Sequence, residues 1–142
     1  MSGNDVTLIG NLARDPELRF TSGGQALVEF GLAVNRRWQN PSTKEWEEEV
    51  SFFDVTCWRE LAEHVAESLS KGSRVMVAGR LEQQSWESSD GEKRSKVKVT
   101  ADDVGPSLRY AIARVEKIAK SGNGGPPPRE MPAGYGYSEE PF

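Results

Sequence analysis

The chain is poor in the residues that most enzymes and metal sites rely on. It has one cysteine, Cys57, and one histidine, His64. A lone thiol cannot form an internal disulfide or a multi-cysteine zinc site, and it fits a reducing compartment. A Ser-His-Asp triad would have to be built on His64, yet His64 lies in ELAEHVAES, which reads as a helix flank, so an ordinary helix residue is expected there. No carboxylate pair stands out as a catalytic dyad, and the glycines at 23–24 and 72 read as turn glycines, without a Walker phosphate-cradling pattern. No metal, cofactor or catalytic activity is expected. The chain also lacks a run of 18 apolar residues, so no membrane span is expected. Its start, MSGNDVTLIG, has no basic segment leading into an apolar one, so no secretory signal is expected and a cytoplasmic location is.

An excess of positive charge is missing too. The formal net charge is −4 over 142 residues. Residues 121–142 hold one Arg and three Glu, hence −2, which leaves −2 for the first 120. Any nucleic-acid surface must therefore be a local patch, because whole-chain charge gives no general attraction.

What is present is strand alternation. VTLIGNL at 6–12 reads as a strand with Gly10 at a bulge or bend. Asp15-Pro16 opens a turn, and SGGQ at 22–25 is a hairpin signal. Ala26, Val28, Phe30, Leu32 and Val34 then alternate with Leu27, Glu29, Gly31, Ala33 and Asn35, the period of a half-buried strand. The polar stretch RRWQNPSTKEWEEE at 36–49 reads as a long hairpin arm or loop, and Val50–Trp58 as a strand. The period then changes: Leu61, Ala62, Val65, Ala66 and Leu69 share one helical face, with Gly72 placed as a C-cap. SRVMVAGRL and EKRSKVKVTA are further strands around an Asp-Gly turn. One helix between the third and fourth of five antiparallel strands predicts an all-β, Greek-key barrel of the OB-fold class. SLRYAIARVEKI, after Gly105-Pro106, fits either a strand or a helix and is taken as an extra strand over 107–118. The domain is expected to occupy 1–120, followed at 121–142 by a Gly/Pro-rich tail expected to be disordered.

Parity assigns sides. Phe53, Val55 and Cys57 share the core face, while Phe52, Asp54, Thr56 and Trp58 share the other. In the next strand Val75, Val77, Gly79 and Leu81 face inward, leaving Arg74, Met76, Arg80, Gln84 and Trp86 opposite. Trp38 follows Arg36 and Arg37 in the polar arm, and Trp46 precedes three glutamates. Aromatic rings outside the packing pattern, beside guanidinium groups, suit single-stranded nucleic acid. Every base has a π-face, and each stack is worth roughly 1–3 kcal/mol. Trp38, Phe52, Trp58 and Trp86 are the candidate stacking residues. Arg19, Arg36, Arg37, Lys71, Arg74 and Arg80 are candidate phosphate contacts, and Arg94, Lys96 and Lys98 extend the path along one strand face. The competing reading is a subunit interface, where Trp and Arg are also enriched, and Trp46 among its glutamates fits that reading better.

Together GNLARDPELRFTSGGQALVEFGLAVN, the Trp-bearing arm, ELAEHVAESLSKGSRVMVAGRL and SWESSDGEKR resemble the bacterial single-stranded-DNA-binding protein family. The resemblance covers about residues 4–101. It implies an OB barrel assembled as a homotetramer that coats single-stranded DNA in replication, recombination and repair, and it is consistent with a nucleoid-associated protein. Its stacking aromatics correspond to Trp38, Phe52, Trp58 and Trp86. DDVGPSLRYAIARV is similar to a C-terminal strand that clamps two subunits in one branch of the family. Family members also end in an acidic Pro-Phe tip that docks on replication and repair proteins, and Glu139, Glu140, Pro141 and Phe142 match it. This tip is shorter and less acidic than usual, and Asp54, Glu60 and Glu82 place acid near the expected DNA path, features of a specialised paralogue. Two other functions fit the residues: an adaptor whose exposed aromatics dock protein, and an RNA-binding OB protein.

Overall fold

A computed structural model describes residues 3–119. The barrel is organised around β3 (Ala26–Gln39), in which Val28, Phe30 and Leu32 are fully buried while the residues between them face outward. β3 pairs antiparallel with β4 (Trp46–Trp58) from Leu27 opposite Trp58 out to Gln39 opposite Trp46. β1 (Asp5–Leu12) pairs with β5 (Arg74–Glu87), and β5 with β6 (Lys93–Pro106). A parallel contact of β4 with β6, Val55 opposite Val99 and Thr56 opposite Thr100, joins the two halves. The circle closes where Asn11 and Leu12 of β1 meet Ala33 and Leu32 of β3. This is the OB topology that the strand order predicts.

The core is a single cluster of Leu12, Val28, Phe30, Leu32, Val55, Cys57, Val75, Val77 and Val99, joined by Ala62 and Val65 from α1 (Arg59–Ser68). Full burial of each such aliphatic or aromatic side chain is worth about 1.5–3 kcal/mol. Two glycines let strands approach this closely. A Cβ on Gly10 would lie 2.4 Å from the Ala33 carbonyl oxygen, at the crossing of β1 over β3. A Cβ on Gly79 would lie 2.2 Å from the Thr100 carbonyl oxygen, beside the bulge between β5 and β6.

Several local readings change. The polar arm is a two-stranded ribbon, with β3 running to Gln39 and β4 starting at Trp46. Its loop is held by the Asn40 side chain, whose Oδ1 accepts from the Ser42 and Thr43 amides at 2.8 and 3.2 Å. β2 (Glu17–Phe20), not assigned from sequence, pairs along β3 outside the barrel. The helix ends at Ser68 with Leu69 as its C-cap; Gly72 lies beyond it, with φ of +90° in the turn before β5, and donates to the Leu12 carbonyl. β6 runs on to Pro106, past the point where its alternation fades.

The strand expected over 107–118 does not form within the single chain. Ser107 donates its amide to the Arg74 carbonyl, and no helix or strand follows it among the described residues. A strand needs a neighbouring ladder, and none is supplied there. Ile112 stands 92% exposed. The readings for 121–142, including the tip residues Glu139 to Phe142, lie outside the described residues. No helix among the described residues is long and apolar enough to cross a membrane.

Candidate nucleic-acid interface

Register shows which side chains share a surface. The parallel contact of Thr56 with Thr100 puts the outward residues of β4 and β6 on one continuous face. On β4 this face carries Phe52, Asp54 and Trp58. Across β6 and β5 it carries Lys98 opposite Glu82, Lys96 opposite Gln84, and Arg94 opposite Trp86, with Arg80 opposite Thr100. Across β3 it carries Asn35, Arg37 and Gln39, opposite Val50, Glu48 and Trp46. Phe52 is 71% exposed, Trp46 60%, Trp86 47% and Trp58 36%. Phe52 and Trp58 are six residues apart on the same side of β4, about 20 Å along the strand.

Trp38 lies elsewhere. It has the parity of Phe30, Leu32 and Val34, so it sits on the opposite face of the β3–β4 ribbon, half-buried. The Arg36 guanidinium lies 4.9 Å from its ring centroid. Arg37, on the outward side, lies 4.9 Å from the ring of Trp46. Trp46, which its glutamate neighbours assign to packing, is thus an exposed ring on the face that holds Phe52. The three glutamates alternate, and only Glu48 points to that face.

The expected phosphate contacts divide into held and free groups. Arg19 is paired with Glu29, and Lys96 with Asp54. Arg80 meets both Glu82 at 3.0 Å and Asp102 at 3.2 Å, and Arg94 meets Glu92 at 3.3 Å. Such exposed pairs are worth about 0–1 kcal/mol, little enough for a phosphate to compete. Lys98 makes no ion pair among the described residues. Arg74 shares the outward parity of β5, but its guanidinium lies 5.5 Å from the ring of Tyr110 and its buried Nε has no hydrogen-bond partner. Lys71 is in the α1–β5 turn, not on the sheet face, and its amide donates to Asp15 at 2.7 Å. His64 is an exposed helix residue. Cys57 is buried in the core, which pushes its thiol pKa up to about 12 and keeps it protonated.

At the end of β4 a cleft of about 430 Å³ is lined by Gln25, Trp58, Arg59, Arg80, Thr100 and Asp102, among others. Strand parity gives no sign of it, because the turn into α1 builds it. The hydroxyls of Thr56 and Thr100 are buried without hydrogen-bond partners.

A closed β-barrel whose outward face joins exposed rings to a row of cations defines an OB-fold binding protein. Comparison with known proteins gives the particular family. The profile of the Single-strand binding protein family matches residues 3–107, and the chain belongs to that family. It is 49% identical over 129 residues to the single-stranded DNA-binding protein of Mycobacterium bovis, covering 90% of this chain and 79% of the relative. With the protein of the same name from Mycobacterium leprae it shares 52% identity over 118 residues, covering 82% and 70%. The fold is similar to a solved Plasmodium falciparum SSB in complex with ssDNA, with a TM-score of 0.69 at 22% identity, over 75% of this chain and 97% of that one.

Proposed function

We propose that this protein binds single-stranded DNA without sequence preference, coats it and shields it during replication, recombination and repair, without catalysis. The observation that carries the reading is the single outward face of β3, β4, β6 and β5, where Phe52, Trp58, Trp86 and Trp46 stand among Arg37, Arg80, Arg94, Lys96 and Lys98. Rings stack on bases of any sequence while the cations neutralise phosphates between them. The names of the mycobacterial relatives support it.

Trp38, on the reverse of the ribbon, contacts DNA that wraps around the β3–β4 arm. Lys71 and Arg74, off this surface or engaged with Tyr110, rank below the β5–β6 cations. The chain assembles as a homotetramer in the cytoplasm, with 107–118 pairing across a subunit boundary, and Glu139, Glu140, Pro141 and Phe142 recruit replication and repair proteins. For such a tip, a terminal phenyl ring fills an apolar pocket while carboxylates meet a basic rim.

Titration with oligo-dT tests the binding reading: intrinsic tryptophan fluorescence should be quenched, with oligo-dT favoured over oligo-U and over duplex. Absence of quenching at low salt would favour a protein-docking role for the same rings.

A further inference from the structure

Arg59 is the first residue of α1, directly after Trp58, and its backbone is left-handed, with φ of +61°. Side chains other than glycine's rarely adopt that conformation, and where they do the surrounding structure imposes it, commonly at ligand sites. The turn sends Arg59 to the wall of the cleft that Trp58 lines. Its guanidinium is exposed and makes no ion pair or hydrogen bond among the described residues. Arg80, which also lines the cleft, is held by Glu82 and Asp102. Of the two arginines that line the cleft, Arg59 is therefore the uncompensated one.

We propose that this cleft is a single-nucleotide seat, in which a base stacks on Trp58 and the guanidinium of Arg59, not that of Arg80, takes the adjoining phosphate. The proposal rests on the single-stranded DNA reading above and deepens it. The left-handed backbone holds a free cation beside the ring, at a cost to the isolated fold that glycine would not incur. Gln25, also in the lining, adds a polar side chain that can both donate and accept and so does not select one base.

The test uses the full chain and three variants, Arg59→Gly, Arg59→Lys and Arg80→Gln, titrated with oligo-dT over a range of salt concentrations. Arg59→Gly should melt at a higher temperature than the parent, since it relaxes the turn, yet bind oligo-dT about fivefold more weakly. Its log–log salt slope should fall by about 0.7, the signature of one lost phosphate contact on a single strand. Arg59→Lys should restore the slope, and Arg80→Gln should lower it less than Arg59→Gly does. A parent that binds while Arg59→Gly keeps the parental affinity and slope would overturn the seat and leave the wider reading standing. A lower melting temperature for Arg59→Gly would overturn the strained-turn argument. A parent that fails to bind oligo-dT would overturn the DNA reading itself.

Discussion

The two hairpin arms that leave the barrel, β3–β4 and β5–β6, have similar lengths and different chemistry. On its outward side the β3–β4 arm sets one cation, Arg37, against one carboxylate, Glu48, and carries the rings of Trp46 and Phe52. The β5–β6 arm sets Arg80, Lys98, Lys96 and Arg94 against Glu82, Asp102 and Glu92, leaves Lys98 without an ion pair among the described residues, and carries one ring, Trp86. One arm is an aromatic surface with a single cation facing a single carboxylate, and the other is a row of four cations, three of them in exchangeable ion pairs, with a ring at its far end. Binding of a polyanion can therefore divide its labour: phosphate attraction along β5–β6, and stacking mainly along β4 and the first arm. A chain of net charge −4 can hold such a site because its cations are gathered along one strip, while Glu47 and Glu49 turn to the reverse of the β3–β4 ribbon.

The largest effect is expected where β5 and β6 enter the barrel together, at Gly79. Gly79→Val should cost about 3 kcal/mol or more of stability, because the new side chain meets the Thr100 backbone; chemical denaturation measures this. Removal of rings should leave stability nearly unchanged and weaken binding. Trp86→Ala and Phe52→Ala should each lose about 1–3 kcal/mol of oligo-dT affinity. Trp38→Ala should lose less with short oligonucleotides and more as length allows wrapping to the reverse face, an expectation checked by titrating a length series. Equal losses for Trp38 and Phe52 at every length would remove the distinction between the faces.

Charge changes should be smaller, and opposite in sign for a cation and a carboxylate of the same face. Lys98→Ala should lower the salt slope by about 0.7. Asp54→Asn frees Lys96 and should tighten binding by up to about fivefold at low salt. The mildest test concerns the core beneath both arms. Burial keeps the Cys57 thiol protonated at neutral pH, so alkylation of the native protein should be negligible and should appear only as denaturant opens the barrel.

The barrel strands were legible because each has one apolar face and one polar face, and Ala26 to Val34 shows this without ambiguity. Parity also placed Phe52, Trp58 and Trp86 away from the core. The arms were harder to read. Both sides of the β3–β4 ribbon are largely open to water, so residues 36–39 and 46–49 carry no apolar alternation even though they pair as strands. Trp46 was hidden by its glutamates, because a run of like charge in sequence becomes alternating charge across a ribbon. Parity also put Thr56 on the outward side, where it is 1% exposed: alternation gives direction but not what lies over a side chain. The left-handed turn at Arg59 leaves no mark in residue type, and the cleft beside it was invisible for that reason. The strand expected over 107–118 is absent from the single chain for a different reason, since strand propensity does not create the neighbouring ladder that a strand needs.

The account depends on the outward face of β3, β4, β6 and β5 being the surface that meets DNA. Ultraviolet crosslinking of bound oligo-dT, followed by mapping of the modified residues, tests this most directly. Crosslinks should fall on Phe52, Trp58 and Trp86, with Trp46 joining them. Crosslinks confined to β1, around its exposed Ile9, would contradict it.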